Sequence, residues 1–364
     1  MSFIDYLDQI EDHRTDINKE YNLGDIIFLT MAAVLAGAEG WKAIKIFGDS
    51  KLAWLRQYRE FKTGIPTRHS IGRIIRGLSN EALLSSFARW INEQREHTGK
   101  PQIAFDGKTL RGTGKRGGTD ALHLVSAMVV ESGLILTQQP SLGKKNEIKT
   151  LQTMLQSLEV KGTVISADAM HTQTETAKLS RAGGADYLLQ LKDNQKSLHE
   201  EVSAYFHKVR RDDAALYNAQ YIKEVDGEHG RIVEREYRAL PVSEWIKDID
   251  SWQDIQSVIE VIRTREGKTA EVSHYISSLA TDVQELSRTI RHHWAIENSQ
   301  HWVLDVTFRE DESQIYAEDG AKNLALFRRA LLNLIKAHPM KDSVAGKRQR
   351  AYWDDKFRAE ILFG

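Results

Sequence analysis

The chain has 364 residues and no cysteine, with 50 lysines and arginines against 51 aspartates and glutamates, for a formal net charge of −1. That length supports two or three packed domains, and the missing thiols exclude a disulfide framework and thiolate metal ligands. The near-neutral balance excludes a protein that grips polyanions by bulk charge, so any nucleic-acid contact has to be local.

The N-terminal stretch "MSFIDYLDQIEDHR" is acidic and lacks the basic and apolar regions of a secretory signal. The longest apolar run, "IIFLTMAAVLAGA", is too short to span a bilayer and reads as a buried helix. No membrane role is expected, and a cytoplasmic location fits a chain without cysteine. Residues 1–98 read as a helical domain. Ser70 is the expected N-cap of "IGRIIRGL", and Asn80 that of "EALLSSFARWINEQ". "GWKAIKIF" and "DSKLAWLRQY", divided at Gly48-Asp49, have the form of a helix-turn-helix or of an ordinary helix pair. Between Trp41 and Arg76 nine lysines and arginines face two acids, a pattern that suits a DNA contact or a solvated helical face equally.

After the linker "REHTGKP" the character changes. "QIAFDGKTL", "LHLVSAMVV" and "GLILTQQ" are strand-like runs divided by glycine-rich turns and predict an antiparallel meander. Helix "EIKTLQTMLQSL", strand "GTVISAD", helix "QTETAKLSRAG" and strand "DYLLQLK" follow, so residues 99–194 predict a mixed sheet with helices on its faces. A helix near "QKSLHEEVSAYFHKV" leads into "RIVEREYRAL", "IQSVIEVIRTRE" and "AEVSHYISSL", which make 195–278 a β-rich insertion. Asp282 and Glu285 are spaced as a capping box and restart helix in 279–340. "DGAKNLALFRRALLNLIKAH" stops before Pro339, and 341–364 reads as a C-terminal tail.

Three acids stand apart by position. Asp106 follows an apolar strand, Asp168 ends "VISAD", and Glu297 lies on the helix "RHHWAIENSQHWVLDVTFRED". At 100° per residue Ile290, His293, Trp294, His301, Leu304 and Phe308 share its side, which places Glu297 inside a largely apolar stripe. A buried carboxylate there requires a hydrogen-bond partner or a cation. Acids at strand ends of a mixed sheet lie where α/β folds build sites, and three carboxylates can hold a pair of Mg²⁺ ions with their waters. A single strand-end aspartate is more often a cap or a turn residue.

"FDGKTLRGT" around Asp106, "VISADAMHTQ" around Asp168, "HGRIVEREYR" at 229–238 and the segment around Glu297 together resemble bacterial DDE-type insertion-sequence transposases. The closest resemblance is to the H-repeat-associated, ISAs-type group, and it runs over nearly the whole chain. It implies an RNase H-like mixed-sheet core with a β-rich insertion behind a helical N-terminal domain, and Asp106, Asp168 and Glu297 as the catalytic, metal-binding triad. In that reading Asp106 bridges two Mg²⁺ ions, with Mn²⁺ as substitute, while Asp168 and Glu297 each complete one site. The implied activity is strand cleavage at the ends of an element and transfer into target DNA. The implied partners are double-stranded DNA and, on DNA, a homo-oligomer. The 129 residues from Asp168 to Glu297 (297 − 168) match the group's habit of placing an insertion there. One departure stands out: related transposases carry Tyr, Arg and Lys around the catalytic Glu, where this chain has Ile290, His293 and Leu304. A DNA-binding protein that keeps the fold without transposing, and a host nuclease with the same metal chemistry, are the alternatives.

Other motifs compete with this reading. "GTGKRG" at 112–117 matches a dinucleotide fingerprint, but a strand follows where that motif must open a helix. Lys108, Arg111, Lys115 and Arg116 read instead as a basic turn facing phosphates, or as a plain hairpin loop. His293, Glu297 and His301 recur at zinc-compatible spacing without the usual His-Glu-x-x-His order. Arg291, His293 and Arg328 are further DNA-contact candidates, and Trp294 and Trp302 are expected to pack in the core.

Overall fold

The computed structural model describes all residues except 1, 16–18, 96–98, 115–119, 144–145, 213, 229–230, 266–267, 317–318 and 364. The chain opens with α1 (Phe3–Leu7), α2 (Leu23–Leu35), α3 (Trp41–Leu55), α4 (Arg68–Arg76) and α5 (Asn80–Gln94). The apolar run forms α2, which is buried on almost every face, as expected of a helix apolar all round. Phe28, Leu29 and Met31 are wholly enclosed there, each stabilising the fold by about 2 kcal/mol.

The expected helix pair within 40–58 is present as two helical segments that meet at a kink at Lys51, carried together in α3, just past the expected Gly48-Asp49 turn. Gly48 makes no turn. A Cβ on it would sit 2.8 Å from Ile65 Cγ2 and 3.0 Å from Leu29 Cδ1, so the glycine admits close packing within the first of the two segments. The caps also move. Thr67 Oγ1 accepts from the Ser70 N–H and starts α4 earlier than expected, and Ser79 Oγ accepts from the Ala82 N–H, placing Asn80 inside α5.

Next come β1 (Gln102–Leu110), β2 (Leu122–Val129), β3 (Leu134–Ser141), α6 (Glu147–Ser157), β4 (Val164–Ala167), α7 (Thr174–Ala182) and β5 (Asp186–Leu191). The first three strands form the expected antiparallel meander; β4 pairs parallel with β1, and β5 parallel with β4. This is the RNase H-like core. After α8 (Lys196–Arg211), the strands β6 (Gln220–Glu228), β7 (Arg231–Pro241), β8 (Ser257–Arg265) and β9 (Glu271–Ser277) form the β-rich region. They extend the same sheet: β9 pairs antiparallel with β5, and nine strands run in the order β3-β2-β1-β4-β5-β9-β8-β7-β6. β6, absent from the sequence reading, is the edge strand opposite β3, and Lys223, Glu224 and Asp226 interrupt any apolar run on it.

α9 (Val283–His293) begins at Asp282, whose Oδ1 accepts from the N–H groups of Gln284 and Glu285. A π turn (Glu297–His301), α10 (Trp302–Val306) and α11 (Gly320–Ala337) follow. α11 packs against β3 on one side and α2, α4 and α5 on the other. Its Asn323 side chain donates to the carbonyls of Ile75 and Leu78, and Asn333 donates to that of Ile135. The segment read as a tail folds into α12 (Val344–Trp353) and α13 (Asp355–Phe363), with the Arg358 guanidinium buried 4.3 Å from the Trp54 ring centre.

Candidate active site

Asp106 and Asp168 are brought side by side by strand register. In the parallel pair β1–β4, Phe105 lies opposite Ala167; Asp106 is the next residue along β1, and Asp168 the first residue past the end of β4. β1 does not end at Asp106; it runs on through Leu110, with Asp106 opposite Ser126 of β2. Asp106 Oδ1 accepts the Gly107 N–H at 2.8 Å, and Oδ2 lies 3.2 Å from His301 Nδ1. Asp168 Oδ1 is enclosed and has no hydrogen-bond partner among the described residues; its nearest base is His171 Nε2 at 3.8 Å. A buried carboxylate oxygen without a donor is costly unless a cation or water completes it.

Glu297 lies elsewhere than the helical projection placed it. α9 ends at His293, and Glu297 opens the π turn, whose wider winding breaks the 100° register. The side chain is exposed rather than set in an apolar stripe. Trp294, the C-cap of α9, and Trp302, just past the π turn, also turn outward, 49% and 60% exposed, so neither fills the core. The two histidines that bracket Glu297 do reach the sheet. His293 Nδ1 is 3.1 Å from Ser166 Oγ on β4, and His301 touches Asp106. Burial lowers the His293 pKa, against the opposing pull of Asp106 and Asp168. The pair therefore holds the π turn over the two aspartates, although no group of three His, Asp or Glu side chains converges on a metal-sized site among the described residues.

Beneath the aspartates lies a cluster that the sequence reading did not single out. Glu147, the first residue of α6, is buried; its Oε2 is 2.6 Å from His123 Nε2 and its Oε1 is 2.9 Å from His171 Nε2. Burial alone would raise its pKa, but the hydrogen bonds from both histidines outweigh that and hold it at about 2.

A match to the transposase DDE domain covers residues 97–334, and one to the DDE_Tnp_1-associated family covers 4–91. The chain belongs to the DDE transposase family. It is 35% identical to the candidate transposase YncI of Escherichia coli O157:H7, over 99% of this chain and 94% of that protein. It is 30% identical to the H repeat-associated candidate transposase YhhI of Escherichia coli (strain K12), over 99% and 97%. Among solved structures, a piggyBac transposase synaptic complex with hairpin DNA aligns with a TM-score of 0.48 at 10% identity, over 99% of this chain and 77% of that one.

In this transposase-family chain the DNA-contact candidates have different fates. Lys108 is only 8% exposed and lies 2.5 Å from Asp305 Oδ2 and 3.6 Å from Asp311 Oδ1. Arg111 is exposed, with Nε 3.7 Å from Asp311. Lys115 and Arg116 lie outside the described residues. Arg291 is paired with Glu224 at 2.9 Å and Asp226 at 2.6 Å. Arg328 is buried, because α11 is covered on both sides; desolvation lowers its pKa against the nearby charge of Glu310. Arg329 beside it is buried in a two-pronged pair with Glu310.

The N-terminal domain does display free charge. α3 and α4 border a groove of about 680 Å³ floored by Trp41 and Gly72, with Lys42, Arg68 and His69 on its rim. A Cβ on Gly72 would lie 3.1 Å from Trp41 Cδ1, so the glycine lets the indole lie flat on α4. Arg73 is exposed one residue beyond it on the same helix.

Proposed function

We propose that this chain cuts DNA at the ends of a mobile element and joins the freed 3′ hydroxyl to target DNA, using Asp106, Asp168 and Glu297. The observation that carries this reading is the register-matched pair Asp106 and Asp168, with the buried Asp168 Oδ1 lacking a donor among the described residues. Such an oxygen and its neighbour fit a hard divalent cation, which takes carboxylate ligands and keeps waters. Bound there, a pair of Mg²⁺ ions, or Mn²⁺ in their place, supplies the polarisation that activates a water or hydroxyl and offsets charge on the leaving oxygen.

The chain's own groups do the rest. Asp106 and Asp168 hold the cations, and His301 orients Asp106 through the contact at 3.2 Å. Glu297, four residues before His301 and open to solvent, is the third carboxylate of this reading. The α3–α4 groove holds duplex DNA through Lys42, Arg68 and Arg73, since basic side chains without acidic partners give up fewest contacts on meeting phosphates. Joining two ends calls for at least two copies of the chain on DNA.

The test is cleavage of a duplex carrying the repeats that flank the gene. Mg²⁺ or Mn²⁺ should support nicking at the repeat boundary, EDTA should abolish it, and Asp106→Asn and Asp168→Asn should each abolish it while still binding the duplex. Zinc retained stoichiometrically through purification would refute the carboxylate site. A second reading, a DNA-binding protein that keeps the fold without cutting, has one observation on its side: the described residues hold no three-acid cluster. Binding without metal-dependent nicking would establish it.

A further inference from the structure

We propose that Glu147 is the positioning residue of this site: by holding His123 and His171 it sets the spacing of Asp106 and Asp168 and keeps Asp168 Oδ1 free for a cation. The inference rests on the reading of the two aspartates as cation ligands. It starts from where the Glu147 carboxylate lies. A Cβ on Gly107 would be 2.3 Å from Glu147 Oε1, so the carboxylate lies directly against the β1 backbone one residue beyond Asp106. Only glycine admits that approach.

From there the cluster reaches three segments. A carboxylate can only accept, so both imidazoles must donate their Nε2–H to it. In its neutral form donating Nε2–H, His123 on β2 accepts at Nδ1 from Thr109 Oγ1 at 2.8 Å, which returns the chain of bonds to β1 three residues beyond Asp106. His171, in the short turn that follows Asp168, donates to Glu147 at 2.9 Å. The same Nε2 is 3.8 Å from Asp168 Oδ1. One N–H serves one acceptor well, and Glu147 takes it. Asp168 Oδ1 is thereby left with its lone pairs unused. An apolar cluster of equal volume would hold these strands together as firmly as a buried charged one. What the charged cluster adds is control over which acceptor His171 serves.

Glu147→Gln keeps the shape but offers one acceptor where there were two. Its amide N–H₂ then opposes the N–H of one histidine, and His171 is free to turn its proton to Asp168, in competition with a cation. The experiment measures cleavage of the flanking-repeat duplex by the full chain across a Mg²⁺ titration, with duplex binding and the melting transition recorded alongside. Expected for Glu147→Gln is a rise of roughly tenfold in the half-saturating Mg²⁺ concentration, with part of the rate recovered in Mn²⁺, which binds such sites more tightly, and with duplex affinity unchanged. A purely structural role would lower the folded fraction but leave that half-saturation where it was.

If Glu147→Gln does not fold, Thr109→Val carries the same test, because it removes only the bond to His123 Nδ1 and keeps every charge; a smaller rise in the same direction is expected. A wild-type Mg²⁺ half-saturation in the folded variants, with Asp168→Asn inactive, overturns the role of Glu147 and leaves the proposed function standing. If the wild-type chain shows no Mg²⁺-dependent cleavage, or Asp168→Asn cleaves normally, both fall.

Discussion

Asp305→Asn and Glu297→Gln should leave opposite signatures. Both acids lie on the segment after α9, and by sequence either could be the third carboxylate. In the structure Asp305 Oδ2 is 2.5 Å from the Lys108 ammonium, which is only 8% exposed. Removing the Asp305 charge leaves that cation with Asp311, 3.6 Å away, as its remaining partner. Breaking a buried pair from one side costs about 3–5 kcal/mol. Asp305 is itself 33% exposed and Asp311 remains, which discounts the loss to about 1–2 kcal/mol. The melting transition should fall by about 2–6 °C, while cleavage per folded molecule is unchanged. Glu297→Gln should do the reverse. Its side chain is exposed, so the melting transition stays put, and cleavage drops by roughly 10²–10³-fold as one electrostatic element is lost. Scanning fluorimetry beside nicking of the repeat duplex in Mg²⁺ reads both. If Asp305→Asn is inactive at an unchanged melting temperature while Glu297→Gln cleaves normally, the third acid has been placed two turns too early.

Glu310→Gln should destabilise the fold by about 3–5 kcal/mol in urea, because Arg329 and Glu310 are both fully enclosed and paired at 2.8 Å; Glu310→Leu with Arg329→Met should restore most of it, and a loss below about 1 kcal/mol would mean the pair is wet in solution. Glu147 has a pKa lowered from 4.5 to about 2, so its contribution is complete above the higher value and disappears as pH falls through the lower. Roughly 3 kcal/mol of stability is at stake, and urea midpoints for wild type and Glu147→Gln should converge as pH falls across that window; parallel curves would contradict the assignment. Arg68→Ala with Arg73→Ala should weaken duplex binding and reduce the log–log salt slope by about 2, with an unchanged slope excluding the α3–α4 groove.

How much of this was legible in the sequence follows from how local each determinant is. The meander and the crossover strands were readable because apolar runs are bounded by glycines, as around Gly133 and Gly162. Asp106 and Asp168 were readable because an acid interrupts or ends such a run. Gly48 misled, since a glycine that admits a neighbour and a glycine that makes a turn look alike in a string. The exposure of Glu297, Trp294 and Trp302 follows from α9 ending at His293 and a π turn opening at Glu297, and no residue type announces either. Lys108 and Arg291 read as free cations because their acids, Asp305 and Glu224, are distant in sequence and arrive only by folding. The Glu147 cluster spans 24 residues on either side, beyond any helical or strand period.

α11 has a consequence for shortened copies of this gene. Its inner face belongs to the sheet and its outer face to the helices that precede the sheet in the chain. A product lacking α1–α5 would present Leu324, Phe327 and Leu331, all wholly enclosed here, to water, and would aggregate before it could act. Residues 1–95 are therefore no detachable DNA-binding tag but half the packing of a central helix. An internal start that skipped α1–α5 would thus lose the proposed cleavage together with the proposed DNA grip.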